Sequence, residues 1–256
     1  MYFEWLSLYH VVAEELGIDP TRDYLATYIL RRMMLDHGHR DRHELSIQGT
    51  ALVVGAGPSL SKVLNVLASY IPNDLPIISA DGATRALLEV GITPLAVVTD
   101  LDGDVDAVEE CCKRGSTLFI HAHGDNIDKL LEVGAKLCSK CPYVIGTTQV
   151  PRPPKPLVNP GGFTDGDRAC LIAYALGAKR LILVGMDLCS YFVGRYSKGI
   201  EIRASRTKLV KLWIARRVID SLGKRIEILE VGTKCLTNSR CIGIEEARAL
   251  VRNGVW

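Results

Sequence analysis

The sequence predicts an α/β protein with a doubly wound, mainly parallel sheet of about six or seven strands and an N-terminal helical cap. From residue 50 onward, short β-branched or aliphatic runs alternate with segments of helical length. The apolar runs are continuous rather than alternating, as in buried parallel strands. The first 45 residues instead carry apolar positions at helical spacing. We therefore expect a helical cap at residues 1–46 and a Rossmann-like domain at residues 47–256.

The cap is predicted to contain two or more helices. Apolar residues recur at helical spacing in segments 5–12 and 24–33, and Asp19-Pro20 marks a break between them. The charged, histidine-containing stretch at 37–44 predicts a connection to the next domain.

The second domain is predicted from alternating elements. The predicted strands lie at residues 51–54, 76–79, 95–98, 117–121, 143–146, 180–184 and 226–230. The predicted helices lie at residues 60–70, 84–90, 105–114, 127–138, 167–176 and 207–222. Ligands bind beyond the carboxyl ends of the strands in such sheets, so the residues after each strand are the candidate site.

Charge and hydropathy exclude two classes of partner. The formal net charge is only +2, so no strong field attracts a polyanion, and we expect no nucleic-acid partner. No apolar run approaches the ~18 residues of a membrane span, and the start lacks a leader pattern, so we expect no membrane partner and a cytoplasmic location.

The eight cysteines do not form a zinc-site pattern. Cys138 and Cys141 are spaced as CxxC and Cys111 and Cys112 are adjacent, but no second CxxC pair exists. We expect buried or free thiols, with a disulfide as the alternative.

A glycine-containing turn follows the first strand. Gly55, Gly57 and Ser59 stand in Gly-Ala-Gly-Pro-Ser-Leu, where Leu60 replaces the third glycine of a dinucleotide fingerprint. A glycine turn that leads into a helix can offer backbone N–H groups to a phosphate. The turn therefore predicts anion binding, with a merely tight turn as the alternative.

Acidic residues follow the next two strands. Asp100 and Asp102 lie two residues apart at a strand end, and Asp81 follows the neighbouring strand before Gly82. Carboxylate oxygens in this arrangement suit Mg²⁺. The alternative is that acidic residues here, including Asp104, cap helices.

Two further segments carry polar residues. His121, His123 and Asp125 could hold a transition metal, but hydrogen bonding to phosphate or a structural role fits better. The segment 161–168 opens a helix with Asp165, Asp167 and Arg168, a set that suits metal or phosphate contacts. Thr164 is a candidate N-cap of that helix.

No Walker pattern and no Gly-x-Ser-x-Gly elbow is present in the sequence, which favours metal-assisted chemistry on a phosphate ester or nucleotide. The motifs Ala-Asp-Gly-Ala (80–83), Val-Thr-Asp-Leu-Asp-Gly (98–103), His-Ala-His-Gly-Asp-Asn (121–126), Gly-Thr-Thr-Gln (146–149), Gly-Gly-Phe-Thr-Asp-Gly-Asp-Arg-Ala (161–169) and Gly-Met-Asp (185–187) occur in order. With these motifs the chain resembles the archaeal 6-hydroxymethyl-7,8-dihydropterin pyrophosphokinase family.

The resemblance implies that Mg-ATP donates its β,γ-diphosphate to the hydroxymethyl group of a reduced pterin and releases AMP. It also implies a homodimer. The implied catalytic residues are Asp100, Asp102, Asp165 and Arg168, and the implied metal ligands are Asp100, Asp102, Asp81 and Asp167. Phosphate binding is implied for Gly55, Gly57, Ser59, Asp81, Gly82, His121, His123 and Asn126. Substrate binding is implied for Gln149, Thr164 and Asp187.

Three other functions stay open. The acidic pair followed by a Thr-Asp motif is also similar to thiamine pyrophosphokinase, which carries out the same transfer to another acceptor. The glycine turn and acidic residues also suit a nucleotide-sugar glycosyltransferase, or a nucleotide sensor without catalysis.

Overall fold

The structure, a computed structural model, describes residues 2–37 and 45–252. The predicted connection after residue 37 lies outside the described residues. Two helices, α1 (Tyr2–Leu16) and α2 (Pro20–Asp36), form the predicted N-terminal pair, and the Asp19 side chain caps α2 through the N–H of Thr21. None of the described helices is long and apolar enough to cross a membrane.

The later elements alternate as the sequence predicts. The strands are β1 (Thr50–Val54), β2 (Ile77–Ala80), β3 (Ala96–Thr99), β4 (Thr117–Ala122), β5 (Val144–Thr148), β6 (Arg180–Val184), β7 (Phe192–Val193), β8 (Ile202–Arg203), β9 (Glu227–Val231) and β10 (Arg240–Ile242). The helices are α3 (Leu60–Leu67), α4 (Ala83–Glu89), α5 (Val105–Lys113), α6 (Ile127–Lys129), α7 (Ala135–Lys140), α8 (Asp165–Ala175), α9 (Arg195–Lys198), α10 (Arg206–Leu222) and α11 (Ile244–Arg252). Short 3-10 turns lie at Ala68–Tyr70 and Gly124–Asn126, and a π-helical turn, Leu130–Gly134, joins α6 to α7.

Eight strands form one parallel sheet in the order β10-β9-β6-β1-β2-β3-β4-β5. The chain runs from β1 to β5 in one direction and then returns to β6 on the other side of β1. The fold class is therefore confirmed, and the β1–β6 boundary is the switch point where such sheets bind ligands.

Both faces of the sheet are buried, which explains the continuous apolar runs. In β1, Ala51 and Val53 pack toward α8 and α10, whereas Leu52 and Val54 pack toward α3 and α11. Side chains alternate between faces along a strand, so a strand covered on both sides needs apolar residues at every position.

Two small features of the structure are not predicted by the sequence. The eighth strand, β10, has only three residues, of which Ile242 alone is buried, so it lacks an apolar run. The antiparallel pair β7–β8 is similarly short and mostly exposed. Both fall below the length at which periodicity identifies a strand.

One cysteine prediction is wrong. Cys112 and Cys141 form a disulfide, which joins the end of α5 to the residue after α7. The partner of Cys141 is thus not Cys138, its CxxC neighbour, which stays a buried free thiol. Sequence spacing missed this pair because 29 positions separate the two residues.

The helical cap packs closely on the second half of the sheet. Ala26, Leu30 and Met34 of α2 share a core with Leu118 and Ile120 of β4. The α1–α2 turn consequently lies near the carboxyl ends of β4 and β5. The boundary near residue 47 stays a prediction, but the cap contributes to the region where a site is expected.

Candidate active site

A cavity of about 500 Å³ lies along the carboxyl edge of the sheet. Its floor is formed by the segments that follow β1 through β6, and its walls include the α1–α2 turn and the start of α10. Of the predicted site residues, the cavity is lined by Gly55, Gly57, Asp81, Gly82, Asp100, Asp102, His121, His123, Gln149, Thr164, Asp165, Arg168 and Asp187. Topology thus brings most of the predicted residues to one cavity, as the strand-end rule requires.

Three carboxylates meet at the middle of the floor. Asp81, Asp100 and Asp102 each place one oxygen within 4.8 Å of the other two. The Oδ2 atom of Asp81 accepts a hydrogen bond of 2.9 Å from the backbone N–H of Gly103, whereas its buried Oδ1 has no partner among the described residues. An unpartnered carboxylate oxygen beside two further carboxylates is a set of hard donors that fits a divalent cation.

The turn after β3 aims two of these side chains at the cavity. Leu101, between Asp100 and Asp102, is buried and has a left-handed backbone with φ of 67°, which is rare for a leucine. Gly103 follows, and a Cβ atom there would lie 2.6 Å from Oδ2 of Asp81. Glycine is therefore required at 103 for the Asp81 carboxylate to approach.

Close packing gives the acidic cluster unequal proton affinities. Burial and the charges of Asp100 and Asp102 raise the pKa of Asp81 to about 7. Burial alone would also raise the pKa of Asp100, but the hydrogen bond from His123 and the charge of Arg168 hold that pKa well below its usual range. A bound cation would offset the repulsion among the three carboxylates, which contributes to the raised pKa of Asp81.

His123 supports Asp100 from the next strand. Its Nδ1 accepts a hydrogen bond from the N–H of Asp125 at 3.3 Å, so the ring proton is on Nε2, which donates to Oδ2 of Asp100 at 3.3 Å.

Asn126, predicted to bind phosphate, instead forms hydrogen bonds within the protein. It is 3% exposed, donates to the carbonyls of Asp100 and His121, and accepts from the N–H of His123.

His121 and Arg168 form a buried pair. A guanidinium can only donate, so Nε2 of His121 accepts from Nη2 of Arg168 at 3.0 Å, and Nδ1–H donates to Oγ1 of Thr147 at 3.0 Å. Burial, together with the charge of Arg168, lowers the pKa of His121 well below its usual value, so the ring is neutral. The ring thereby holds the guanidinium in place.

Arg168 also holds an acidic residue at the cavity. Its Nη1 donates to Oδ1 of Asp165 at 3.1 Å. Burial and the charge of Asp100 raise the pKa of Asp165 well above its usual value, although Arg168 opposes this shift. Asp165 and Arg168 thus lie beside the acidic cluster, and their catalytic roles stay predictions.

Asp167 does not join the acidic cluster, contrary to the prediction that it binds metal. Its carboxylate is fully buried and accepts hydrogen bonds from the N–H groups of Phe163, Thr164 and Arg168. The Thr164 hydroxyl donates to the same carboxylate and is the N-cap of α8. Asp167 therefore stabilises the N-terminal turn of α8 as part of a capping box, and its oxygens are used within the protein rather than directed at a cation.

The glycine turn also differs from its predicted role. The N–H groups of Gly55, Gly57 and Ser59 donate to Val184 O, Gly185 O and Asp187 Oδ2. These donors are therefore already used within the protein and do not form the phosphate cradle that the sequence suggests. A Cβ on Gly57 would lie 2.4 Å from Oδ2 of Asp187, so glycine is needed for packing between β1 and β6.

The cap supplies residues that the sequence analysis does not identify. Asp23 of α2 is fully buried and accepts hydrogen bonds from Tyr9 Oη at 2.9 Å and from Gln149 Nε2 at 2.6 Å. Arg22 lines the cavity beside it. A carboxylate on a helix that carries no motif is not recognisable as a site residue from one sequence. In the structure it stands out, because a buried acidic residue on a helix is unusual.

Comparison with known proteins identifies the family. The model of the family described as "6-hydroxymethylpterin diphosphokinase MptE-like" matches residues 32–191, more than half of the chain. A Methanocaldococcus jannaschii protein named 6-hydroxymethyl-7,8-dihydropterin pyrophosphokinase is 39% identical over 240 residues, covering 88% of this chain and 97% of the relative. A Pyrococcus furiosus protein of the same name is 39% identical over 235 residues, covering 89% of this chain and 97% of the relative.

A solved structure shares the fold. The MAf glycosyltransferase from Magnetospirillum magneticum AMB-1 aligns with a TM-score of 0.55 and 17% identity, covering 90% of this chain and 42% of that protein. At this identity the likeness concerns the fold alone, whereas the sequence relatives match nearly end to end. The chain belongs to the 6-hydroxymethylpterin diphosphokinase MptE-like family.

Proposed function

We propose that this chain transfers diphosphate from ATP to the hydroxymethyl group of 6-hydroxymethyl-7,8-dihydropterin. The acidic cluster of Asp81, Asp100 and Asp102 in the cavity carries the proposal, because it is the group that diphosphate transfer with a metal-bound nucleotide needs. The names of the family relatives support the pterin as acceptor.

We assign a divalent cation, Mg²⁺, to the acidic cluster. Three carboxylates, one with an unpartnered buried oxygen, match the oxygen ligands that Mg²⁺ prefers. When bound, Mg²⁺ neutralises charge on the phosphate oxygens. Asp167 and Asn126 are left out of this assignment because their polar atoms are satisfied within the protein.

The reaction exchanges one phosphorus–oxygen bond for another. The hydroxymethyl oxygen attacks the β-phosphorus, and the bond from that phosphorus to the oxygen bridging the α- and β-phosphates breaks. AMP leaves with the bridging oxygen, and the hydroxyl group loses its proton. No atom is oxidised or reduced.

The surrounding side chains position the reacting groups. Asp165 lies beside the cluster with a raised pKa, so we assign it as the acceptor of the hydroxyl proton. Arg168, held by His121, places a positive charge next to it. Gln149 and Asp187, both at the cavity, are the remaining candidates for contacts with the pterin.

Identification of the products tests this function. Incubation with Mg-ATP and the dihydropterin should give pterin diphosphate and AMP in equal amounts, separated by chromatography. ADP with a monophosphorylated pterin would contradict the reaction class. Conversion of thiamine alone would keep the class and reject the acceptor, and transfer of a sugar or binding without turnover would favour the glycosyltransferase or sensor alternatives.

The remaining expectations belong to the same proposal. We propose a cytoplasmic enzyme that acts without nucleic acid or membrane and that assembles as a homodimer, as the resemblance implies. Sedimentation of the full chain should give twice the chain mass; a monomer at working concentration would reject that assembly.

A further inference from the structure

One wall of the cavity is the start of α10. Ser205, Lys208, Lys211 and Leu212 line the cavity from this segment. Residues three and four positions apart project on one side of a helix, so the two lysines lie on the same face. Nothing in the sequence marks these lysines as functional, and the family model ends at residue 191, before α10 begins.

The side of α10 next to Lys211 packs on the cap. Ile214 packs with Tyr9, Val12 and Phe163 in a small core, and Val210 lies against it. The Ser205 side chain accepts a hydrogen bond of 3.2 Å from the N–H of Lys208 and caps the helix. This packing beside Lys211 holds α10 against the cap, with both lysines at the cavity.

The cations at the cavity differ in what they contact. Arg22 donates through Nε and Nη2 to the carbonyl of Gly124, and Arg168 is bound to Asp165 and His121. Lys211 is half-buried, and among the described residues its ammonium group has neither an ion pair nor a hydrogen bond. A lysine ammonium group without a protein anion beside it can pair directly with a bound anion.

We infer that Lys211, with Lys208 beside it, binds the phosphate chain of the nucleoside triphosphate. This inference rests on the proposed function, since it gives the nucleotide a second contact, from the α10 wall of the cavity that also holds the acidic cluster. The carboxylates can hold phosphates only through a cation, whereas an ammonium group binds them directly. A polyphosphate chain carries enough negative charge to bind the cation at the acidic cluster and the lysine ammonium group at the same time.

Nucleotide binding without acceptor tests the assignment. Calorimetry with Mg²⁺ should show ATP binding weakened about 10-fold or more in Lys211→Met, since a charge-assisted hydrogen bond of this kind contributes about that factor. Lys211→Arg should bind ATP more tightly than Lys211→Met. Lys224→Met, which removes an exposed lysine beyond the end of α10, is the matched control and should bind ATP as the parent does.

Two further measurements separate phosphate contact from a structural effect. Adenosine binding should be the same in the parent and Lys211→Met, and thermal unfolding should show that the variant is folded. Unchanged ATP affinity, or an equal loss for ATP and adenosine, would overturn the inference.

Steady-state kinetics separates this inference from the proposed function. Lys211→Met should raise the KM for ATP and leave the KM for the pterin unchanged; a rise confined to the pterin KM would reject the assignment. If the parent protein forms no pterin diphosphate, the proposed function fails, whereas the ATP and adenosine titrations still decide whether Lys211 contacts phosphate.

Discussion

Asp23 Oδ1 accepts a hydrogen bond of 2.7 Å from the backbone N–H of Gly124, which lies 101 residues later in the chain. Arg22, next to Asp23, donates two hydrogen bonds to the carbonyl of the same glycine. Gly124 follows His123, which donates to Asp100. The N-terminal helices therefore help to hold the loop that orients the acidic cluster.

Gly124→Ala should lower turnover because it disturbs this contact. A Cβ at 124 would lie 2.7 Å from Cβ of Arg22, a distance too short to be accommodated, so α2 or the loop must move. We expect turnover to fall about 10-fold and stability to fall by about 1–3 kcal/mol, as for other overpacked sites. Steady-state kinetics and urea unfolding measure the two effects.

Gly243→Ala is the matched control for this substitution, because a Cβ there meets no atom within 4 Å. It should leave turnover unchanged. If Gly124→Ala is as active as Gly243→Ala, the α2 contact does not position the catalytic loop.

Asp100→Asn and Asp102→Asn should each reduce turnover by roughly 10²-fold or more, the size of an electrostatic contribution to a transition state. Both substitutions keep the side-chain volume and remove a negative charge from the proposed cation site. Turnover at saturating Mg²⁺ is the measurement, and Asp128→Asn, an exposed residue of α6, is the control. Near-parental rates with an unchanged Mg²⁺ dependence would show that the metal is placed wrongly.

The sequence was sufficient for the sheet and for the acidic residues because both depend on local signals. A buried parallel strand requires a continuous apolar run, and the residues that follow it reach the carboxyl edge by topology alone. The sequence alone therefore predicts that Asp81, Asp100 and Asp102 lie together at one edge of the sheet. The two-residue strands and β10 were missed because they contain too few residues to show a period.

The errors within the site concern what each polar atom contacts. Asp167 and Asn126 have residue types that suit ligands, yet their atoms bind backbone groups of their own loops. Asp23 is the converse case. No sequence motif marks it, yet its carboxylate accepts hydrogen bonds from Gly124 and Gln149, which lie more than a hundred residues away. Hydrogen bonds between distant segments cannot be read from one sequence.

Asp81→Asn should stabilise the protein above pH 7 in the absence of divalent cations. Because the folded-state pKa of Asp81 is raised to about 7, ionisation of its buried carboxyl opposes folding at higher pH. Asparagine keeps an oxygen for the N–H of Gly103 and removes the repulsion from Asp100. We expect a gain of about 1–3 kcal/mol, because each unit of pKa shift corresponds to about 1.4 kcal/mol and the cost of burying the polar asparagine amide offsets part of it.

Thermal unfolding at pH 8 with and without Mg²⁺ checks this prediction. Mg²⁺ should stabilise the parent chain, since a ligand that binds only the folded state adds stability, and should stabilise Asp81→Asn much less. Asp128→Asn controls for the loss of an acidic residue away from the site. A variant that is less stable than the parent at pH 8 without Mg²⁺ would contradict the argument.

His121→Gln should remove a pH dependence of stability on the acid side. His121 is buried and neutral, with its pKa well below the usual value near 6.5, whereas in the unfolded chain the ring titrates normally. Below pH 6.5 the unfolded state therefore binds a proton that the folded state does not, and stability falls as the pH falls. The expected slope is at most about 1.4 kcal/mol per pH unit.

Glutamine at position 121 can accept from Arg168 and donate to Thr147 without titrating. The difference in stability between parent and variant therefore reports the His121 ring alone, even though Asp81 shifts stability in the opposite direction in both proteins. Urea unfolding from about pH 5 to pH 8 measures this difference, and His10→Gln, at an exposed position of α1, controls for the loss of a histidine. A parent and a His121→Gln variant with parallel pH profiles would show that the ring is not held neutral in the folded protein.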